Sequence, residues 1–460
     1  MTTRFVPYDA VVVGAGISGL VCAHAVRRAG LRPFVLEAGD RVGGCISTVR
    51  RDGCIADGGP QTFAAAPSFM QLVSSLGLDR RLQRAADGTP WFYAHGRLAP
   101  APSSPGALLA SPLLSPLAKL RVLAEPLIGA RATTADESVA AFAARRGGRA
   151  VVDALVRPMI AGIYAGDPLQ TSAQSAIPGL VELERRYTSV IVGTMARMFA
   201  RRTGPRPRRV PLDFAGGNDL LTEALAAGQE PDIALNARAT EIVLRGANIE
   251  VVYASGGGGD DRSVVARHAV LATPAYETGR LLAVLEPEAA EVLANIAYAP
   301  MAQVALSYDR AAIGRPTRGF GFLNGERTGL RILGCAFNST MFADRCPPDR
   351  ALVTAFLGGM NDPDVAAMRD DELVGIVHRD LQRVLDVRAT PSVVAGFRWD
   401  RAIPQYAVGH GDLIRTISTG LTRLPQVSVI GNYLRGPSVS DCIAVATAKA
   451  DAIVARISTQ

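Results

Sequence analysis

The stretch DAVVVGAGISGLVCAHAVRRAG, residues 9–30, constrains the fold more than any other part of the chain. Val11, Val12 and Val13 are β-branched, which suits a buried strand of a parallel sheet. They run into Gly14-Ala15-Gly16-Ile17-Ser18-Gly19 and then into a helical pattern. In this spacing Gly14 permits a tight exit turn, Gly16 lets the backbone approach a pyrophosphate, and Gly19 lets the helix lie close to the strand. Free N–H groups and the positive end of the helix dipole then face the phosphates. A second strand, RPFVLEA, ends with Glu37, the acid expected to hold a ribose, and Ala38.

The residues just downstream bear on which dinucleotide is bound. EAGDRVGGCIST places Arg41 and the pair Gly43-Gly44 directly after the ribose acid. Two glycines allow a second close backbone approach, and Arg41 can counter phosphate charge. A nicotinamide fold has no evident need of this second pass, whereas a longer, more buried flavin dinucleotide does. A second glycine pattern, GFGFLNG at 319–325, has the wrong spacing and opens no clear helix. The chain therefore holds one dinucleotide fold and is not expected to take hydride from NADPH as a two-dinucleotide reductase does.

Composition narrows the class. With 460 residues, 48% of them hydrophobic and 20% charged, the chain is globular and long enough for two or three domains. A net charge of +7 admits an anionic partner, either lipid or an acidic small molecule. It does not imply nucleic acid, because no nucleic-acid motif, lysine run or zinc spacing accompanies it. Six scattered cysteines, with no Cys-x-x-Cys pair, argue against a disulfide framework or metal cluster and fit a reducing cytosol. The first strand starts too early for a signal peptide, and no apolar run is long enough to span a membrane. Residues 105–132, rich in Leu and Ala and broken by Pro, read equally as short helices dipping into a bilayer face or as helices lining a pocket. Residues 135–200 read as helix with a break at GIYAGDP, 201–209 as an exposed basic linker, and 256–259 as a hairpin tip. A β-rich stretch covers 300–360 and a helix 371–386. At the other end, a strand from Val427 to Ile430, a loop with Gly431 and Gly436, and a helix opened by Ser438 and Asp441 make a second anion or dipole site.

Together these motifs resemble the flavin-dependent amine oxidase superfamily. More narrowly, they resemble the oxygen-dependent protoporphyrinogen and coproporphyrinogen oxidases. GIYAGDPLQTSAQSAIPGL (162–180), YAPMAQVALSYD (298–309), LGCAFNSTMFADRCPP (333–348), FRWDRAIPQYAVGH (397–410) and GNYLRGPSVSDCI (431–443) carry the resemblance in order along the chain. It implies an α/β protein in which a Rossmann-type FAD-binding domain is joined to a mixed β-sheet substrate domain and a helical, membrane-facing insert. The flavin domain would draw on 1–85, 205–285 and 398–460, the insert on 86–204 and the substrate domain on 286–397. FAD would contact Gly14, Ala15, Gly16, Ile17, Ser18, Gly19, Glu37, Ala38 and Arg41. Further contacts would come from Gly59, Pro60, Gln61, Thr62, Ala239, Trp399, Pro437, Ser438 and Val439. The tetrapyrrole would meet Gly162, Leu323, Leu333 and Phe356.

The chain departs from the family at three places. Pro90 stands where several members carry an arginine that holds a propionate, and Arg97 is the nearby candidate to replace it. Coproporphyrinogen oxidases are among the members that lack that arginine. Asp57 stands in place of the usual Glu, and Pro437-Ser438 replaces a small apolar pair. The implied chemistry is dehydrogenation of a porphyrinogen in three two-electron steps, with oxygen reoxidising the flavin to give peroxide. The rival readings are an amine or polyene oxidase and a catalytically idle tetrapyrrole carrier. No catalytic acid–base set stands out, and structural roles are expected for His24, His95, His268, His378 and His410.

Overall fold

The computed structural model describes residues 8–459 except 132, 134, 201–210, 230–231, 257–260 and 326. The segment read as a basic linker, and most of the expected hairpin tip, lie outside the described residues. Two seven-stranded sheets organise the rest. The first runs in the order Ala237–Arg245, Asn248–Ser255, Arg262–Leu271, Tyr8–Val13, Pro33–Leu36 and Ile233–Ala234, and Val427–Val429 is added against Arg262–Leu271. Tyr8–Val13 lies near its middle, parallel to both neighbours. Val11, Val12, Val35 and Val270 are fully buried, which is why these strands read as continuous apolar runs rather than as alternation.

Helices cover both faces of this sheet. Ile17–Arg28 and the closing helix Val439–Ser458 share one apolar cluster through Leu20, Ala23, Ile443, Ala446 and Ala450. The two ends of the chain are thereby packed side by side. Ser438 caps the closing helix, its Oγ accepting from the Asp441 N–H at 3.1 Å, as the sequence pattern anticipates.

The second sheet runs Ser392–Pro404, Tyr298–Asp309, Arg350–Gly358, Gly334–Ala336, Gly321–Asn324, Trp91–Ala94 and Arg97–Pro100. Side chains alternate between its faces. Ala302, Val304, Leu306, Ala355 and Leu357 pack under the helix Asp370–Leu385. Gln303, Ala305 and Phe356 point the other way, toward the strand Cys54–Gly58 and the first sheet. The hairpin Trp91–Pro100, which the sequence places in the 86–204 insert, pairs with this sheet through Phe322↔Trp91 and Leu323↔Phe92.

The remaining helices form a separate layer. Pro105–Ala110 and Pro116–Leu123 each begin with a Ser-Pro pair, in which the serine hydroxyl caps the helix and proline takes the first helical position. Ala118 and Val122 point inward, while Leu117, Leu120 and Leu123 are exposed. The layer is held by the buried Arg146, which bonds Glu184, Glu125 at 3.1 Å and the Ile128 carbonyl at 2.9 Å. Glu125 also accepts from the Ser189 hydroxyl and, at 2.9 Å, from the Val190 N–H at the start of the helix Val190–Ala200. No described helix is long and apolar enough to cross a membrane.

A buried ion cluster ties the strands Cys54–Gly58 and Leu212–Phe214 to Arg345. Arg345, beyond the Gly334–Ala336 strand, bonds Asp213 and reaches Asp57 at 2.9 Å. Asp57 also accepts from the Thr48 hydroxyl at 2.6 Å and the Asn218 N–H at 2.9 Å. One guanidinium thus faces two carboxyls, and burial pushes both upward, Asp213 to about 7. Removing the cation by Arg345→Met strands two buried acids and is expected to destabilise by about 3–5 kcal/mol. Both acids then have folded pKa values further above their unfolded ones. Stability is retained at low pH and lost as pH rises through the folded values. The deficit should therefore be larger at pH ~8 than at pH ~5, as read by thermal unfolding at the two values.

Candidate active site

The first glycine turn lies at the carboxyl end of the strand Tyr8–Val13, where parallel sheets bind their ligands. Each of its glycines has a separate physical reason. Gly14 has φ +105°, and a Cβ there would sit 3.0 Å from the Ala272 carbonyl oxygen. A Cβ on Gly19 would fall 1.9 Å from the Gly14 carbonyl oxygen, so only glycine lets the helix come this close. A Cβ on Gly16 would meet nothing within 4 Å, so the space beside it is open. The helix that follows has no side-chain cap and no acid in its first turn, leaving its N–H groups and dipole available to an anion.

A second glycine turn backs onto the first. The Gly43 N–H donates to the Ala15 carbonyl at 2.8 Å, and a Cβ on Gly44 would lie 3.3 Å from Gly16 Cα. Arg41 braces this turn by donating to the carbonyls of Gly44 at 2.6 Å and Ile46 at 3.1 Å. Its positive charge therefore sits beside the turn while its donors point into the loop. Glu37 accepts from the Ala15 N–H at 2.7 Å and the Gly39 N–H at 2.8 Å, one bond on each oxygen. Ala38 follows it, exposed. Ala237 donates its N–H to the Glu37 carbonyl, which brings the strand carrying Ala239 alongside. Arg280 grips the Ala239 carbonyl at 2.7 Å, where the strand bulges.

The closing helix completes this side. The Cys442 thiol in its first turn bonds Ser18 in the first turn of Ile17–Arg28, so the two N-termini meet. Pro437, Ser438 and Val439 precede or open the closing helix at that junction. These residues fit a flavin dinucleotide: two back-to-back glycine turns, open space at Gly16, an uncapped helix start and an acid at the ribose position.

The turn Gly59-Pro60-Gln61-Thr62 follows the strand Cys54–Gly58, which pairs with Ser47–Arg51. Gly59 has φ +78°, and a Cβ on it would be 2.6 Å from the Cys45 carbonyl oxygen. Its N–H donates to Gln303 Oε1 at 3.0 Å and its carbonyl accepts from Gln303 Nε2 at 2.8 Å. Gln61 Nε2 donates to the Asp57 carbonyl at 2.8 Å, and Asn338 Nδ2 donates to Gln61 Oε1 at 2.7 Å. The Pro60 carbonyl accepts from Asn218 at 3.3 Å, and Thr62 follows, half-buried.

Across from this turn stands an apolar wall. Leu333, Phe356 and Trp399 pack with Met301, Ala165 and Ala299, and Trp399 stacks on Phe397 with ring centroids 6.0 Å apart. Leu333 donates its N–H to the Phe356 carbonyl at 2.7 Å. Gly162, on the helix Arg157–Tyr164, lies directly over Leu323: a Cβ there would be 2.4 Å from Leu323 Cδ2. The structure thus brings Gly162, Leu323, Leu333, Phe356 and Trp399 to one face of the second sheet. Arg97 does not join them. It is exposed at the tip of the edge hairpin, opposite Ala94, whereas Pro90 lies at the hairpin base, where its carbonyl accepts from Ala101. Arg97 and Pro90 therefore occupy opposite ends of the hairpin.

No described histidine offers itself as an acid or base at the wall. His268 bonds Ser428 at 2.9 Å, His378 bonds Tyr308 at 3.2 Å and His410 bonds the Tyr433 carbonyl at 2.8 Å. Burial pushes these three and His24 down, toward the neutral form. Sequence reasoning passed over Gln303, Asn338 and Arg345. The signal for Gln303 was present, as the one carboxamide in the apolar run MAQVAL.

A family model for flavin containing amine oxidoreductases matches residues 17–454, and the chain belongs to this family. It is an oxidoreductase whose cofactor is FAD. It is 31% identical to the chloroplastic protoporphyrinogen oxidase of Nicotiana tabacum over 459 residues, covering 95% of this chain and 83% of that one. It is 27% identical to coproporphyrinogen III oxidase of Bacillus subtilis, covering 94% and 95% of the two chains. A crystal structure from Exiguobacterium sp. 255-15, assigned to the protoporphyrinogen oxidases, superposes with a TM-score of 0.84 at 25% identity, covering 98% of this chain and 99% of the other.

Two glycine variants separate ligand binding from folding. Gly19→Ala drives a methyl into the Gly14 carbonyl and should destabilise by about 1–3 kcal/mol or more. In Gly16→Ala the added Cβ meets no protein atom within 4 Å, so it should leave the melting temperature of the flavin-free protein unchanged while weakening FAD binding. Calorimetry on the flavin-free chain and fluorescence titration with FAD measure the two effects.

Proposed function

We propose that this chain dehydrogenates a porphyrinogen, converting protoporphyrinogen IX to protoporphyrin IX with oxygen as the electron acceptor. The observation that carries this reading is the apolar wall of Leu323, Leu333, Phe356 and Trp399 beside the Gly59–Thr62 turn. It suits a large, flat, largely apolar substrate laid against a flavin. When bound, the flavin supplies the hydride acceptor and returns electrons to oxygen. The chain's own residues orient and exclude water. The glycine turns and Glu37 hold the dinucleotide, Gly162 lets a helix roof the cavity, and the wall keeps the reacting carbon dry. A pyrrole N–H proton lost on oxidation needs no buried base, in keeping with histidines that burial holds neutral.

In this reading the flavin domain is assembled from 1–85, 205–285 and 398–460, the substrate domain from 286–397 and the insert from 86–204. Support comes from the first sheet, whose strands are drawn from the first three stretches. Coproporphyrinogen III is the second reading. It is favoured by Pro90 at the position where an arginine would hold a propionate, and by likeness to the Bacillus subtilis enzyme.

We further propose that the helical layer rests on a membrane surface. Leu117, Leu120, Leu123 and Leu127 are 54–89% exposed. Val192, Met195, Met198 and Phe199 extend the patch along the helix Val190–Ala200. Burying such side chains in lipid yields about 1.5–3 kcal/mol each.

Purified, FAD-loaded protein incubated in air with protoporphyrinogen IX or coproporphyrinogen III tests the reaction. Porphyrin fluorescence should rise faster with the former and be accompanied by peroxide. A faster rise with the latter selects the second reading, and no rise with either rejects both. In a liposome flotation, Leu117→Asp with Leu127→Asp should leave the protein at the bottom of the gradient while the unaltered chain floats. Equal flotation of the two would reject membrane contact through this patch.

A further inference from the structure

Gln303 sits on the inner face of the second sheet, 6% exposed, between the inward-facing apolar residues Met301 and Ala305. A polar side chain this buried costs free energy unless it is bonded. Its carboxamide meets the Gly59 backbone with both of its atoms, accepting the N–H at 3.0 Å and donating to the carbonyl at 2.8 Å. This two-bond ring is the pairing that a neighbouring strand would make, supplied by one side chain. It fixes the plane and height of a turn that is already held in an unusual conformation, with φ +78° at Gly59. Asn338 holds Gln61 of the same turn at 2.7 Å, so carboxamides grip it at two points.

The register gives this grip a functional meaning. Gln303 lies directly opposite Phe356 on one neighbouring strand and opposite Phe397 on the other. Residues paired in this way share a face of the sheet. The side chain that holds the flavin turn therefore stands in the same row as the aromatic residue expected against the substrate. We propose that Gln303 is a positioning residue that sets the gap between the Gly59–Thr62 turn and the Phe356 wall, and with it the distance a hydride crosses. The proposal rests on the flavin lying over that turn. Displacement of about 1 Å far from the reacting atoms can slow an enzyme by about a hundredfold, so one rigid spacer has leverage on the rate.

Only a group that donates and accepts at once can do this. Leucine does neither. A glutamate carboxylate accepts the Gly59 N–H but repels the carbonyl, while the protonated acid matches the glutamine. Anaerobic stopped-flow reduction of the FAD-loaded protein by protoporphyrinogen IX gives the test. Gln303→Leu should keep FAD and KM but reduce its flavin roughly tenfold to a hundredfold more slowly. Gln303→Glu should approach the wild-type rate at low pH and fall to the leucine rate as pH rises, a step that the wild type lacks. Burial will place that step above the usual carboxylate range. A loaded Gln303→Leu protein with the wild-type reduction rate would overturn the proposal, as would a Gln303→Glu profile parallel to the wild type at constant FAD content. Should Gln303→Leu fail to fold, the Gln303→Glu profile decides alone. Failure of the flavin placement is read separately. Gln61→Glu puts a charge on the turn itself, and an unchanged visible spectrum of bound flavin in that variant would show that the ring is not over it.

Discussion

The contact on which the rest of the structure depends is the one between Gly19 and the carbonyl of Gly14. A methyl group at position 19 would overlap that oxygen at 1.9 Å, so the helix Ile17–Arg28 can lie on its strand only because no side chain intervenes. Close packing aims the first helical turn, with its free N–H groups, at the carboxyl end of the sheet. It also sets where the closing helix can go. Val439–Ser458 packs its small apolar residues Ala446 and Ala450 against the same helix, which brings Ser438 and Cys442 to Ser18. One van der Waals limit near the amino end thereby bears on where a loop more than 400 residues later can lie.

Two kinds of linkage hold the strand Cys54–Gly58 and the turn that follows it, and they do different work. The Arg345–Asp213–Asp57 cluster is charged and fully enclosed. Desolvating the guanidinium and its carboxyls is costly, so such a cluster adds little net stability and mainly penalises any arrangement that separates the partners. The Gln303–Gly59 ring is neutral. It carries a small desolvation cost and two good bonds, each worth about 0.5–1.5 kcal/mol. The first linkage holds the strand Cys54–Gly58 beside Leu212–Phe214, and the second holds the turn that follows it against the second sheet.

What could be read from the sequence was local. Glycines 14, 16, 19, 43 and 44, the acid at 37 and the cap at 438 each declare themselves through neighbours a few positions away, and the structure gives each a local reason. Gln303 and Arg345 act on partners 244 and 132 residues distant, where no periodicity reports on them. Arg97 is close to Pro90 in number, but a hairpin places them at opposite ends. The segment 105–132 was ambiguous because its helices are two-sided and short. Ala118 and Val122 face in while Leu117, Leu120 and Leu123 face out, and eight residues do not establish which apolar face is which. The pocket residues came from resemblance alone. The geometry now supplies a reason for Gly162, the contact with Leu323, that no local pattern contains.

An apolar wall limits what such a site can discriminate. A hydrophobic surface separates ligands that differ by a methylene by only about 1–3 kcal/mol, whereas an unpaired charge is rejected far more strongly. In the proposed function, porphyrinogens that share a core and differ in the number of carboxylates would therefore look alike to Leu333, Phe356 and Trp399. Selection must act at the rim, where peripheral carboxylates either find a cation or remain in water. Pro90 offers no side-chain donor there, and Arg97 is held at the far end of its hairpin. A carboxylate near Pro90 is better left solvated than buried. In the proposed function the wall and the turn would thus define the reaction, while a few surface positions that can change without disturbing either sheet would decide which acid-bearing substrate is taken.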